Sequence, residues 1–137
     1  MKNHEIQNEI KEISAGLIQE TLANDVNEAS YFSIMADETM DITAIEQLSF
    51  SCRYISIHED HSVVREDFLG FIPIYHPTGE SIAKTILQQC EKLGLDMNKC
   101  VGQGYYEASS MTSHEKCVQA RIRRDYPKVL LVCQHKV

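Results

Sequence analysis

Three carboxylates within five residues, Asp37, Glu38 and Asp41, are the group in this sequence best suited to chemistry. They follow a short apolar run, Phe32, Ile34, Met35 and Ala36, which reads as a buried strand that stops at the acids. Carboxylate oxygens are the hard ligands that Mg²⁺ prefers, and folds place such acids at strand ends beside other strand ends. The same residue types are also ordinary in a solvated turn after a strand. His58 and His61 offer a second pair of ligand types. They fall in the polar turn His58-Glu59-Asp60-His61 with no third ligand in view, and the turn reading is preferred.

Composition narrows the function classes. With 13 basic and 20 acidic residues among 137, the net charge of −7 argues against a whole-surface electrostatic grip on nucleic acid. Lys116, Arg121, Arg123, Arg124 and Lys128 nevertheless make the last quarter locally basic, a face able to touch phosphates or simply to be solvated. Five cysteines, Cys52, Cys90, Cys100, Cys117 and Cys133, show no paired spacing. An odd count without C-x-x-C or a secretory signal points to free thiols in a reducing, intracellular compartment. No apolar run approaches membrane-spanning length, so no membrane partner is expected.

The elements that must position the acids can be read in order. Ile6, Ile10, Ile13, Leu17, Ile18, Leu22 and Val26 recur at three- and four-residue spacing and predict one apolar stripe on a helix over about residues 4–28. From Glu46 to Ile57, Leu48, Phe50, Cys52 and Tyr54 alternate with polar residues, a strand with one buried face. Ser62 to Ile74 resumes the strand pattern, and the two runs form a predicted antiparallel hairpin. Thr78 offers a helix N-cap. Ile82, Ile86, Cys90 and Leu93 then give the buried stripe of a helix stopped by Gly94. Lys99 to Tyr105 is a strand whose Gly102 and Gly104 suit close backbone approach better than a nucleotide loop, because the third glycine of that fingerprint is absent. Ala108 to Arg124 is a helix with Ala108, Met111, Val118 and Ile122 inward, ended by Tyr126-Pro127. Lys128 to Cys133 is a short strand whose run Val129 to Val132 is wholly apolar, as suits an inner parallel strand.

Three strands joined by tight turns should be antiparallel, and two later strands reached through helices should be parallel. The expected fold is α/β, a ribonuclease H-like mixed five-stranded sheet with flanking helices. It divides into an N-terminal amphipathic helix, residues 1–30, and a truncated ribonuclease H-like domain, residues 31–137. In such a sheet strand four returns beside strand one, where acids from both can share metal ions for phosphoryl transfer.

Tyr31-Phe-Ser-Ile-Met-Ala-Asp-Glu-Thr-Met-Asp-Ile, with Glu46-Gln-Leu-Ser, resembles the start of the ribonuclease H-like domain of hAT-family transposases. The match is closest to the domesticated, zinc finger MYM-type-like branch. Val64-Arg-Glu-Asp-Phe-Leu-Gly-Phe, Thr78-Gly-Glu-Ser-Ile-Ala, Gly102-Gln-Gly-Tyr, Val118-Gln-Ala-Arg-Ile and Tyr126-Pro-Lys continue it in order along nearly the whole chain. The resemblance implies cut-and-paste DNA transposition with an Asp, Asp, Glu triad and Mg²⁺ or Mn²⁺, DNA as a partner, and a nuclear location. Asp37 matches the first acid of that triad.

The departures imply something different. Where the family has Asp-Gly-Ala-Ser-Asn-Met, this sequence reads Tyr106-Glu107-Ala108-Ser109-Ser110-Met111. A phenol is neutral near pH 7, with a reference pKa of about 10, and is a poor Mg²⁺ ligand. Glu107 is a doubtful substitute, because a one-residue shift at a strand end turns a side chain to the other face. The third acid lies far downstream in the family and is expected to be absent here, where the sequence runs to Val137. Cys133-Gln134-His135 is similar to a family Cys and His pair, but the spacing is too short for a zinc site. Three functions follow as expectations. The first is a transposase-derived domain without catalysis and without a cofactor, binding a protein partner or a second copy through its incomplete sheet. The second is a metal-dependent nuclease subunit holding Mg²⁺ or Mn²⁺ on Asp37 and Glu107, with Glu38 or Asp41 in support. The third is an interaction module in transcriptional control.

Overall fold

The computed structural model describes residues 2–105 and 115–131. Helix α1 (Lys2–Glu28) is followed by strands β1 (Phe32–Met40), β2 (Glu46–Ile57) and β3 (Ser62–Pro73). Helix α2 (Gly79–Lys92), a single 3₁₀ turn (Met97–Lys99), strand β4 (Cys100–Tyr105), helix α3 (Glu115–Asp125) and strand β5 (Leu130–Leu131) complete it. The sheet order is β3-β2-β1-β4-β5. β1, β2 and β3 pair antiparallel, while β4 pairs parallel with β1 and β5 parallel with β4. The expected mixed five-stranded sheet is the one observed.

Alternation decides which way each strand faces. Leu48, Phe50, Cys52 and Tyr54 of β2 are buried, and Arg53, Ile55 and Ile57 between and beyond them are exposed. Phe32, Ile34 and Ala36 of β1 share their core with Ala23 and Val26 of α1, with Ile82, Ile86 and Cys90 of α2, and with Val118 and Ile122 of α3. Each fully buried side chain of this size contributes roughly 1.5–3 kcal/mol of hydrophobic stabilisation. Thr78 caps α2 as expected, its hydroxyl accepting from the Ser81 amide at 3.2 Å. Gly94 then adopts φ +70, a left-handed conformation that costs glycine least.

Three sequence expectations are corrected. β1 does not stop at the acids; it runs to Met40, so Asp37 and Glu38 are ladder residues on opposite faces of the sheet. β5 is the edge strand of the described sheet rather than an inner one, and Leu130 and Leu131 are exposed. The apolar stripe of α1 is two stripes. At 3.6 residues per turn, Ile6, Ile10, Ile13 and Leu17 centre about 160° around the helix from Gln19, Leu22, Ala23 and Val26. Only the second group meets the sheet; every described side chain up to Ile18 is exposed. Ala108, Met111, Cys133 and His135 lie outside the described residues.

α1 is fastened to the hairpin by two devices. Gln19 Nε2 donates to the Leu69 carbonyl at 2.7 Å. That approach is open because the next residue is Gly70, at φ +128 beside a register shift in the β2–β3 ladder. A Cβ there would stand 2.7 Å from Gln19 Nε2. Arg65 of β3 joins Asp25 of α1 at 3.2 Å and Asp67 at 2.8 Å. Tyr54 donates its hydroxyl to the same Asp67 carboxylate at 2.5 Å.

Candidate functional site

Asp37 sits on β1 opposite Ser49 of β2. β4 lies on the other side of β1, with Gly104 level with Met35 and Tyr105 level with Ala36. The topology thus brings strand four beside the aspartate strand, as a two-metal fold requires. The chemistry does not follow. β4 reads Cys-Val-Gly-Gln-Gly-Tyr and carries no carboxylate. Gln103 and Tyr105 are committed to each other and to the core: the Tyr105 hydroxyl donates to Gln103 Oε1 at 2.7 Å, and both are buried. Tyr106 and Glu107 lie outside the described residues.

The carboxylates of the acidic stretch separate rather than converge. Asp37 Oδ1 is buried and has no hydrogen-bond partner among the described residues. Glu38 faces the other way, opposite Leu48. Asp41 builds the turn between β1 and β2. Its Oδ1 accepts from the Thr43 hydroxyl at 2.6 Å, the Thr43 amide at 2.8 Å and the Ile45 amide at 3.0 Å. The Thr43 hydroxyl and the Ile45 amide together hold its pKa below the usual carboxylate value. An oxygen so engaged is a turn-former. Among the described residues no three His, Cys, Asp or Glu side chains stand where one ion could be held. Of the expected Asp37 and Glu107 pair, Asp37 is the member that lies among the described residues.

The histidine turn behaves as expected. His58 and His61 stack with ring centroids 4.9 Å apart, and His61 Nδ1 meets Asp60 at 2.6 Å. A cavity of about 520 Å³ lies away from Asp37 between α2, the 3₁₀ turn and α3. Lys84, Glu91, Asp96, Arg121 and Tyr126 line it over Leu87, Leu95 and Met97. Sequence reading missed the convergence of Cys52, Cys90 and Cys100 in the core, which come from β2, α2 and β4 with no sequence spacing to announce it. Burial pushes the Cys90 thiol up to about 12, with Cys100 adding to it, and the Cys100 thiol to about 11. It raises Cys52 too, helped by the other two sulfurs. Neutral, enclosed thiols of this kind pack as small apolar groups. Cys117 is the exposed thiol of the four described.

A sheet of order β3-β2-β1-β4-β5, carrying an acid on its first strand, defines a ribonuclease H-like α/β domain. The chain belongs to the ZMYM1/FAM200, RNase-like domain family (DUF4371), whose match spans residues 1–116. It is 34% identical over 125 residues to the human protein named 52 kDa repressor of the inhibitor of the protein kinase, and equally to its mouse counterpart. The aligned region covers 90% of this chain and 16% of each relative, so the chain spans about one-sixth of their length. Among solved structures, a Bacteroides thetaiotaomicron protein with actin-like ATPase fold and unknown function aligns at a TM-score of 0.45 and 9% identity, covering 84% of this chain and 37% of that one. That likeness is too loose to carry an argument. No helix among the described residues is long and apolar enough to cross a membrane.

Proposed function

We propose that this chain is a transposase-derived ribonuclease H-like domain that has kept the fold and given up metal-dependent catalysis, serving as a binding and regulatory module. One observation carries the reading. Asp37 stands on the correct strand beside the correct neighbour, and the strand that should supply its partner acid has none up to Tyr105, with tyrosine next in sequence at 106. Phosphoryl transfer of this class needs metal held between converging carboxylates. A single aspartate leaves too few ligands for the task.

The relatives are named as repressors, a name that fits action through binding. Carried to this chain, that favours a protein partner, with DNA as a further partner in a nuclear setting. Titration with Mn²⁺ followed by calorimetry tests the reading. Wild type and Asp37→Asn should give the same weak, non-saturating heats. A saturable site present in wild type and lost in Asp37→Asn would overturn it and restore the nuclease assignment of Asp37 with Glu107.

A further inference from the structure

The N-terminal part of α1 stands away from its own domain with an apolar seam uncovered. Ile6, Ile10, Ile13 and Leu17 are each more than half exposed. They lie on the side of the helix turned from the sheet, since Gln19, Leu22, Ala23 and Val26 occupy the docked side. No rolling of this helix could bury both stripes at once. A protruding helix of about four turns gains little from its own hydrogen bonds in water, so such a seam calls for a partner.

We propose that the partner is α1 of a second copy of this chain, packed antiparallel about a two-fold axis. The spacing is 4-3-4, that of a coiled-coil seam. It is also self-complementary. With the axis between Lys11 and Glu12, Ile10 meets the partner's Ile13 and Ile6 meets the partner's Leu17, and each contact is made twice, as an isologous interface demands. Gly16 leaves open space at the seam edge, with nothing within 4 Å of where a Cβ would be.

Charge selects the antiparallel arrangement. Lys2 and Glu20 lie on the same edge of the seam, and the two-fold brings Lys2 of one copy to within one residue's rise, about 1.5 Å, of the level of Glu20 of the other at both ends. Parallel pairing would instead set this edge against the other edge of the partner, where Asn3, Gln7, Ser14 and Thr21 carry no charge, so Lys2 and Glu20 would lose each other. The contact runs from Asn3 to Glu20, about 26 Å of helix at 1.5 Å per residue. A seam this short predicts a weak, reversible dimer rather than an obligate one.

Sedimentation equilibrium on the whole chain, from about 1 µM to a few hundred µM, reads the outcome directly. The apparent mass should rise from 15.6 kDa toward twice that value with concentration. Ile10→Glu, a change on an exposed face, should raise the dissociation constant at least about 100-fold while leaving the urea midpoint of the monomeric domain unchanged. Lys2→Glu should weaken the dimer by about threefold to tenfold, and adding Glu20→Lys in the same chain should restore it. A monomer at every concentration, or a dimer indifferent to Ile10→Glu, would overturn the proposal and leave the seam to another partner. A dimer weakened by Ile10→Glu but unaffected by Lys2→Glu would overturn the antiparallel arrangement.

Discussion

Asp37 and Asp41 differ by four positions and by everything that matters physically. Asp41 has three donors on one oxygen; Asp37 has a buried oxygen with none among the described residues. An unsatisfied buried acceptor costs about 1–3 kcal/mol. Asp37→Asn, which removes the charge and adds a donor, should raise the urea unfolding free energy by about 1 kcal/mol. A loss of stability would mean that the carboxylate is held by a favourable contact after all. The buried thiols make a second residue-scale prediction. Their folded pKa values lie above the ordinary value near 9. Below that pH both states are protonated and the thiols contribute nothing to pH dependence. Above it the unfolded chain loses protons first, so stability should fall as pH rises from about 9 through 11–12, by up to ~1.4 kcal/mol per pH unit for each thiol. Unfolding at pH 8 and pH 10.5 checks this, and Cys90→Ala should make the decline shallower.

At the scale of elements, legibility followed whether a pattern was local. The alternation of β2, the Thr78 cap and the Gly94 stop depend on residues within a few positions of one another, and each was read correctly. The α1 stripe divides because three- and four-residue spacings in succession do not hold one face of a helix. Leu17 and Ile18 are adjacent in sequence and about 100° apart on the helix, so the series changes face there. The apolar run ends at the acids and so understates β1; inside a ladder, Asp37 and Glu38 simply alternate faces. Gly70 carried no warning in its neighbours, since its role is set by Gln19, far away in sequence. Gly70→Ala should cost about 2 kcal/mol or more, combining positive-φ strain with displacement of Gln19 from the Leu69 carbonyl. The urea midpoint checks this, and Gln19→Ala should recover part of the loss by freeing the space.

The whole molecule is a mixed five-stranded sheet of order β3-β2-β1-β4-β5 with Asp37 on its central strand. Its topology was legible because tight turns force antiparallel neighbours and helical crossovers force parallel ones. The β1 strand was legible because it lies in a dense motif, whereas the cysteine convergence and the Arg65 staple exist only after folding. The fold alone therefore says little about activity. What distinguishes a nuclease from a binding module here is whether Asp37 has an acidic companion. Cleavage of end-labelled DNA in Mn²⁺, with wild type and Asp37→Asn side by side, tests this most directly. The two proteins should be equally silent across the metal range, and metal-dependent cleavage by wild type that Asp37→Asn abolishes would contradict the account.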